Sequence, residues 1–103
     1  MNRLYIDTRD NKKIVVRLNK DRKIFEAVSV ASIQKAQATL PLIEKVLKKA
    51  KLEIGNIHEI DIEKGPGSFT GLRVGISIAN ALSFAGLVRV NGRKIGKIEE
   101  PQY

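Results

Sequence analysis

The sequence predicts a single α/β domain built on a mixed five-stranded sheet in the order β-β-β-α-β-α-β. Three observations predict it. The first thirty residues hold three short runs of β-forming residues separated by polar turns. The hydrophobic spacing then changes to steps of three and four residues. Beyond Gly55 the two patterns alternate as strand, helix, strand. A chain of 103 residues fits one domain and can hold a core without staples.

The elements follow in order. Arg3 to Thr8 reads as a strand with Leu4 and Ile6 on one face, and Thr8 to Asn11 as a turn. Lys12 to Asn19 is a second strand, Lys20–Asp21 a tight polar turn, and Arg22 to Val30 a third strand with Ile24, Val28 and Val30 on one face. Short turns between consecutive strands predict an antiparallel meander. Ala36, Leu40, Ile43, Leu47 and Ala50 mark an amphipathic helix that either starts near Thr39 or bends at Pro41. Gly55–Asn56 is read as the end of that unit. Ile57, Ile60 and Ile62 give a fourth strand, Gly65 to Gly71 a loop, Leu72 to Gly86 a second helix, and Leu87 to Val90 a fifth strand nearly parallel to the fourth. The domain is expected to span residues 1–90, with residues 91–103 a polar tail or an edge hairpin.

Composition excludes several functions. There is no cysteine, so no disulfide framework and no thiolate metal site, and the single histidine, His58, rules out a multi-histidine site. The N-terminus shows no signal-peptide pattern. The uncharged run Val74 to Val88 is 15 residues, short of the roughly 20 that span a bilayer. A soluble cytoplasmic protein is expected, with no metal and no cofactor. The formal charge is +8, and residues 1–24 hold eight Lys/Arg against three Asp. That excess favours polyanions, although few aromatic residues are available to stack on bases.

The most informative stretch is Gly65-Pro66-Gly67-Ser68-Phe69-Thr70-Gly71, followed by Leu72-Arg73-Val74-Gly75. No lysine follows Gly71, so it is not a Walker-type phosphate loop. Its glycine spacing is one residue too long for the dinucleotide motif. An anion site at the helix N-terminus and a purely structural turn capped by Ser68 or Thr70 both fit. Ser68 as a nucleophile would need His58 as its base, from the far end of the preceding strand. The helix that follows is apolar almost all round, with only Arg73, Ser77 and Asn80 polar. Gly71, Gly75, Ala79 and Ser83 form a small-residue ridge along it. In so small a domain this predicts either an interface with another chain or a fully buried helix.

Leu4-Tyr5-Ile6-Asp7-Thr8, Leu40-Pro41-Leu42-Ile43-Glu44 and, most specifically, Gly65 to Gly75 resemble the N-terminal half of the TsaB (YeaZ) family. That family is a non-catalytic, glycoprotease-like branch of the ASKHA superfamily. The resemblance covers about residues 1–90 and implies an RNase H-like (ASKHA) half. Members are longer, with two such halves, so a complete nucleotide cleft is not expected here. The resemblance implies a scaffold that supports TsaD. TsaD is the enzyme that moves a threonylcarbamoyl group onto the adenosine beside the tRNA anticodon. It also implies help in recruiting the ATPase TsaE, and contact with tRNA only indirectly. The partner is expected to be a TsaD-like protein, as a heterodimer, or a second copy, as a homodimer. The expected interface is Leu40, Ile43, Val46, Leu47, Leu72, Gly75, Ile76, Ala79, Leu82 and Ser83, with Arg73 and Asn80 ordering its edge or the glycine loop. Gly75→Glu or Ile76→Glu is expected to break association and spare the fold. Two alternatives stand beside this reading. One is a stand-alone basic tRNA-binding module. The other is a homodimeric ASKHA-type nucleotide-binding protein dependent on Asp7.

Overall fold

The computed structural model describes residues 1–10, 12–30, 35–85, 88–94, 99, 100 and 102. Strand β1 (Arg3–Asp7) buries Leu4 and Ile6 completely, as the alternation requires. Strands β2 (Ile14–Lys20) and β3 (Lys23–Ser29) form a hairpin whose two-residue turn sets Asp21 at φ 56°. Aspartate tolerates that left-handed conformation better than most side chains. The turn fixes the register: Leu18 faces Phe25 and Val16 faces Ala27. Cross-strand partners share a face, so Phe25 and Ala27 turn to the core with Leu18 and Val16. The face expected to carry Ile24, Val28 and Val30 together is the outer one. Ile24 (67% exposed), Val28 and Val30 point to solvent.

Helix α1 (Lys35–Lys49) runs through Pro41 rather than starting at Thr39. It ends earlier than Gly55. Lys51 takes φ 58°, its N–H donates to the Lys48 carbonyl, and the Leu52 N–H donates to the Leu47 carbonyl (2.9 Å). That is a Schellman end built on lysine in place of glycine. A 3₁₀ turn (Ile54–Asn56) leads to β4 (Glu59–Ile62), which adds to β1 in parallel. Asn2 and His58 clip this join, with the Asn2 N–H donating to His58 Nδ1 (3.0 Å). Helix α2 (Phe69–Phe84) crosses to β5 (Arg89–Val90), parallel to β4.

The sheet order is β3-β2-β1-β4-β5. Helix α1 packs on β2 and β3, and α2 on β4, β5 and α1. The inward residues of all these elements make one apolar cluster, so the helices form a single layer over one sheet face. The opposite face carries Arg3, Tyr5, Arg17, Glu26 and Asp61 toward its centre and the apolar Val15, Ile24 and Val28 toward the β3 edge. Gly86, Leu87 and residues 95–98, 101 and 103, assigned above to the helix end, the last strand and the tail, lie outside the described residues.

Candidate functional site

The glycine loop is fastened to the end of β1. The Thr8 hydroxyl, fully buried, donates to the Gly71 carbonyl (2.6 Å), and the Ser68 N–H donates to the Arg9 carbonyl (2.9 Å). Ser68 caps α2 by accepting from the Gly71 N–H (3.3 Å). A side chain at Gly67 would press on Arg9, its Cβ only 2.7 Å from the arginine Cβ. One at Gly65, where φ is 129°, would overlap the Gln102 backbone. The loop is therefore a tight joint that seats α2 on the sheet, through glycines that let two backbones meet. The side chains of Phe69 and Thr70, and so any capping by Thr70, lie outside the described residues.

Beside this joint the Asp7 carboxylate receives the Arg9 N–H (3.0 Å) and the Arg9 guanidinium (3.1 and 3.0 Å). Partial burial opposes its ionisation, but the hydrogen bonds and charge of Arg9 outweigh that and hold its carboxyl below the usual range. Arg9 also pairs with Glu63 (2.9 Å). His58 precedes β4 and Ser68 lies beyond its other end. His58 is bonded to Asn2 ahead of β1 and Ser68 to Arg9 beyond its other end, so the length of β1 keeps them apart and they form no nucleophile–base pair. Among the described residues no group of His, Asp and Glu side chains converges as a metal-holding cluster.

The helical layer redistributes the expected interface. Ile43, Val46, Leu47, Leu72, Ile76 and Ala79 are buried in the chain's own core, and Gly75 and Ser83 are buried with them. A Cβ on Gly75 would collide with the Thr8 hydroxyl and come within 3.0 Å of Ile62 Cδ1. Gly75→Glu and Ile76→Glu would thus unfold the domain rather than spare it, a correction that follows from the sheet face and α1 together covering this side of α2. What reaches the surface is Leu40 (48% exposed), Phe84 (78% exposed) and, in part, Val74, Ile78 and Leu82. Leu40, Ile43, Leu47, Leu52, Ile54 and Leu82 line a groove of about 490 Å³ between the helices and the 3₁₀ turn. Arg73 is exposed on α2.

A second polar cluster is absent from the sequence reading. Asn80 makes its hydrogen bonds away from the glycine loop. Its amide clamps the backbone of Glu99, donating to its carbonyl and accepting from its N–H at 2.8 Å each. The Glu99 carboxylate, 1% exposed, accepts from Asn91 Nδ2 (3.0 Å) and pairs with Lys64 (3.1 Å) and Arg93. Burial opposes its ionisation, but the hydrogen bonds from Asn91 and Lys64 and the charges of Lys64 and Arg93 keep it below the usual range. Asn91 also satisfies both backbone groups of Ile62, standing in for a strand. A lone carboxylate in a polar tail carries no periodicity, so the sequence offered no signal for this cluster.

A parallel-cored, mixed sheet with one helical layer and a glycine joint ahead of α2 defines an RNase H-like α/β half. The comparisons then fix the family. The family model for TsaD, tRNA N6-adenosine threonylcarbamoyltransferase, matches residues 29–91. The solved structure of YeaZ from Pseudomonas aeruginosa superposes with a TM-score of 0.82 at 27% identity, over 90% of this chain and 43% of that one. The tRNA threonylcarbamoyladenosine biosynthesis protein TsaB of Buchnera aphidicola from Schizaphis graminum is 46% identical over 46 residues, 45% of this chain and 22% of that protein. TsaB of Bacillus subtilis is 27% identical over 82 residues, 80% of this chain and 36% of that protein. The chain belongs to the TsaD-like family and falls among its TsaB (YeaZ) members. It spans less than half the length of the relatives it matches.

Proposed function

We propose that this chain serves tRNA threonylcarbamoyladenosine biosynthesis as a non-catalytic scaffold subunit in the cytoplasm. It docks on a TsaD-like enzyme, or on a second copy of itself, through the outer side of α1 and α2. A TsaE-like ATPase joins through that complex. The observation that carries this reading is the apolar surface left on the two helices: Leu40 stands in solvent at the groove that Leu82 also lines, and Phe84 stands in solvent on the outer side of α2. Exposed aromatic and aliphatic side chains flanking a groove are what a partner helix seats upon. The names borne by the relatives supply the pathway. No described helix is long and apolar enough to cross a membrane.

Co-purification with a TsaD-like protein tests the reading. Leu40→Glu and Phe84→Glu alter exposed positions, so circular dichroism should be unchanged while association weakens at least tenfold, about 1.4 kcal/mol. Association untouched by either substitution would move the interface elsewhere.

A further inference from the structure

The fold gathers most of the net charge at one corner. Residues 20–23 carry Lys20, Arg22 and Lys23 with Asp21, and residues 45–51 carry Lys45, Lys48, Lys49 and Lys51 with no carboxylate. These two segments hold six of the eight net positive charges. The β2–β3 turn and the C-terminal end of α1 bring them together. Lys20 Nζ donates to the Ala50 carbonyl (3.0 Å), and Lys20, Arg22, Lys23, Lys49 and Lys51 line one concave surface of about 590 Å³ together with Asp21 and Phe25. Among the described residues, none of the seven cations takes part in an ion pair. Elsewhere six cations are neutralised: Arg3, Arg9, Arg17, Lys64, Arg89 and Arg93 each face a carboxylate.

We infer that this corner is a binding surface for the phosphate backbone of RNA. Clustered, unneutralised cations repel one another, and a polyanion that displaces their counterions relieves that repulsion. The chemistry of the heads selects phosphate over carboxylate. Six of the seven are lysines, point charges with rotatable donors, whereas planar carboxylate recognition favours arginine. The concave form suits a protruding backbone rather than a flat bilayer. The choice of RNA among polyanions rests on the proposed role in tRNA modification, while the surface itself rests on charge and geometry alone. The location differs from the one that charge counting by segment suggests. Arg3, Arg9 and Arg17, three of the eight cations of residues 1–24, are already paired.

The test measures binding of the full chain to an unmodified tRNA transcript, with polyglutamate and vesicles of phosphatidylcholine and phosphatidylserine as competing probes. Arg22→Gln/Lys23→Gln/Lys49→Gln should weaken tRNA binding at least tenfold and lower the salt slope by about 2. Lys12→Gln/Lys13→Gln/Lys94→Gln removes the same charge from other parts of the surface and should cost under about threefold. Equal losses in the two triple variants would overturn the surface, as would tighter binding to vesicles or polyglutamate than to tRNA. A chain that binds its TsaD-like partner but not tRNA overturns this inference and leaves the scaffold standing. A chain whose tRNA binding depends on the corner, with no such partner, supports the inference and removes the scaffold.

Discussion

The open sheet face and the basic corner both carry cations and treat them oppositely. On the open face, Arg3 meets Asp61 (2.9 Å), and Arg17 meets Glu26 (2.8 Å) while lying 5.3 Å from the Tyr5 ring centre. Arg89 there meets the buried Glu59 (3.2 Å), which also accepts from the Gly92 N–H. At the corner, Lys20, Arg22, Lys23, Lys49 and Lys51 share one surface whose lining holds a single carboxylate, that of the turn residue Asp21. Cross-strand neighbours in a sheet are fixed by register, so a sequence that places Arg opposite Glu is neutralised automatically. A turn and a helix end impose no such pairing. The charges that pair stabilise the sheet a little; the charges that do not are left to act on something outside the chain.

The largest expected effect lies where pairing is buried. Glu99→Ala removes a carboxylate on which Lys64, Asn91 and Arg93 converge, and should cost about 2 kcal/mol, roughly a 10 °C fall in Tm by calorimetry. The same cluster sets an acid limit. The Glu99 and Asp7 carboxyls are both held below their ordinary values in the fold. Their contribution is therefore complete above the unfolded pKa and is lost as pH falls below about 4 through the folded values. Urea titrations from pH 6 to pH 2 should show that loss, and Glu99→Gln should show a shallower one.

A smaller effect separates stability from binding at the corner. Lys51 occupies a left-handed position that glycine adopts freely. Lys51→Gly should raise stability by about 1 kcal/mol while weakening tRNA binding. Loss of both would mean that the lysine supports the fold rather than a ligand. Smallest of all, Glu26→Gln breaks a solvent-screened pair and should change stability by under about 0.5 kcal/mol.

Much of this architecture was legible in the residues. The order of elements followed from the change of hydrophobic period, and the glycine loop from its spacing. What was not legible has physical causes. Strand β3 carries apolar side chains on both faces, Phe25 and Ala27 on one and Ile24 and Val28 on the other, so alternation alone cannot orient it; the two-residue turn does. Helix α2 is apolar nearly all round, and only the packed sheet shows that Leu72, Ile76 and Ala79 are core while Phe84 is surface. The role of Thr8 as the anchor of Gly71 spans 63 positions, a separation no local pattern reports. The basic corner joins residues 20–23 to residues 45–51, segments far apart in the chain that no local pattern links.

The scaffold role is tested most directly by the mass of the particle in solution. Light scattering on the chain mixed with its cognate TsaD-like protein should give the mass of a complex for the wild type, and the masses of separate components for Phe84→Glu. A wild-type chain that stays monomeric both alone and in the mixture would contradict the account.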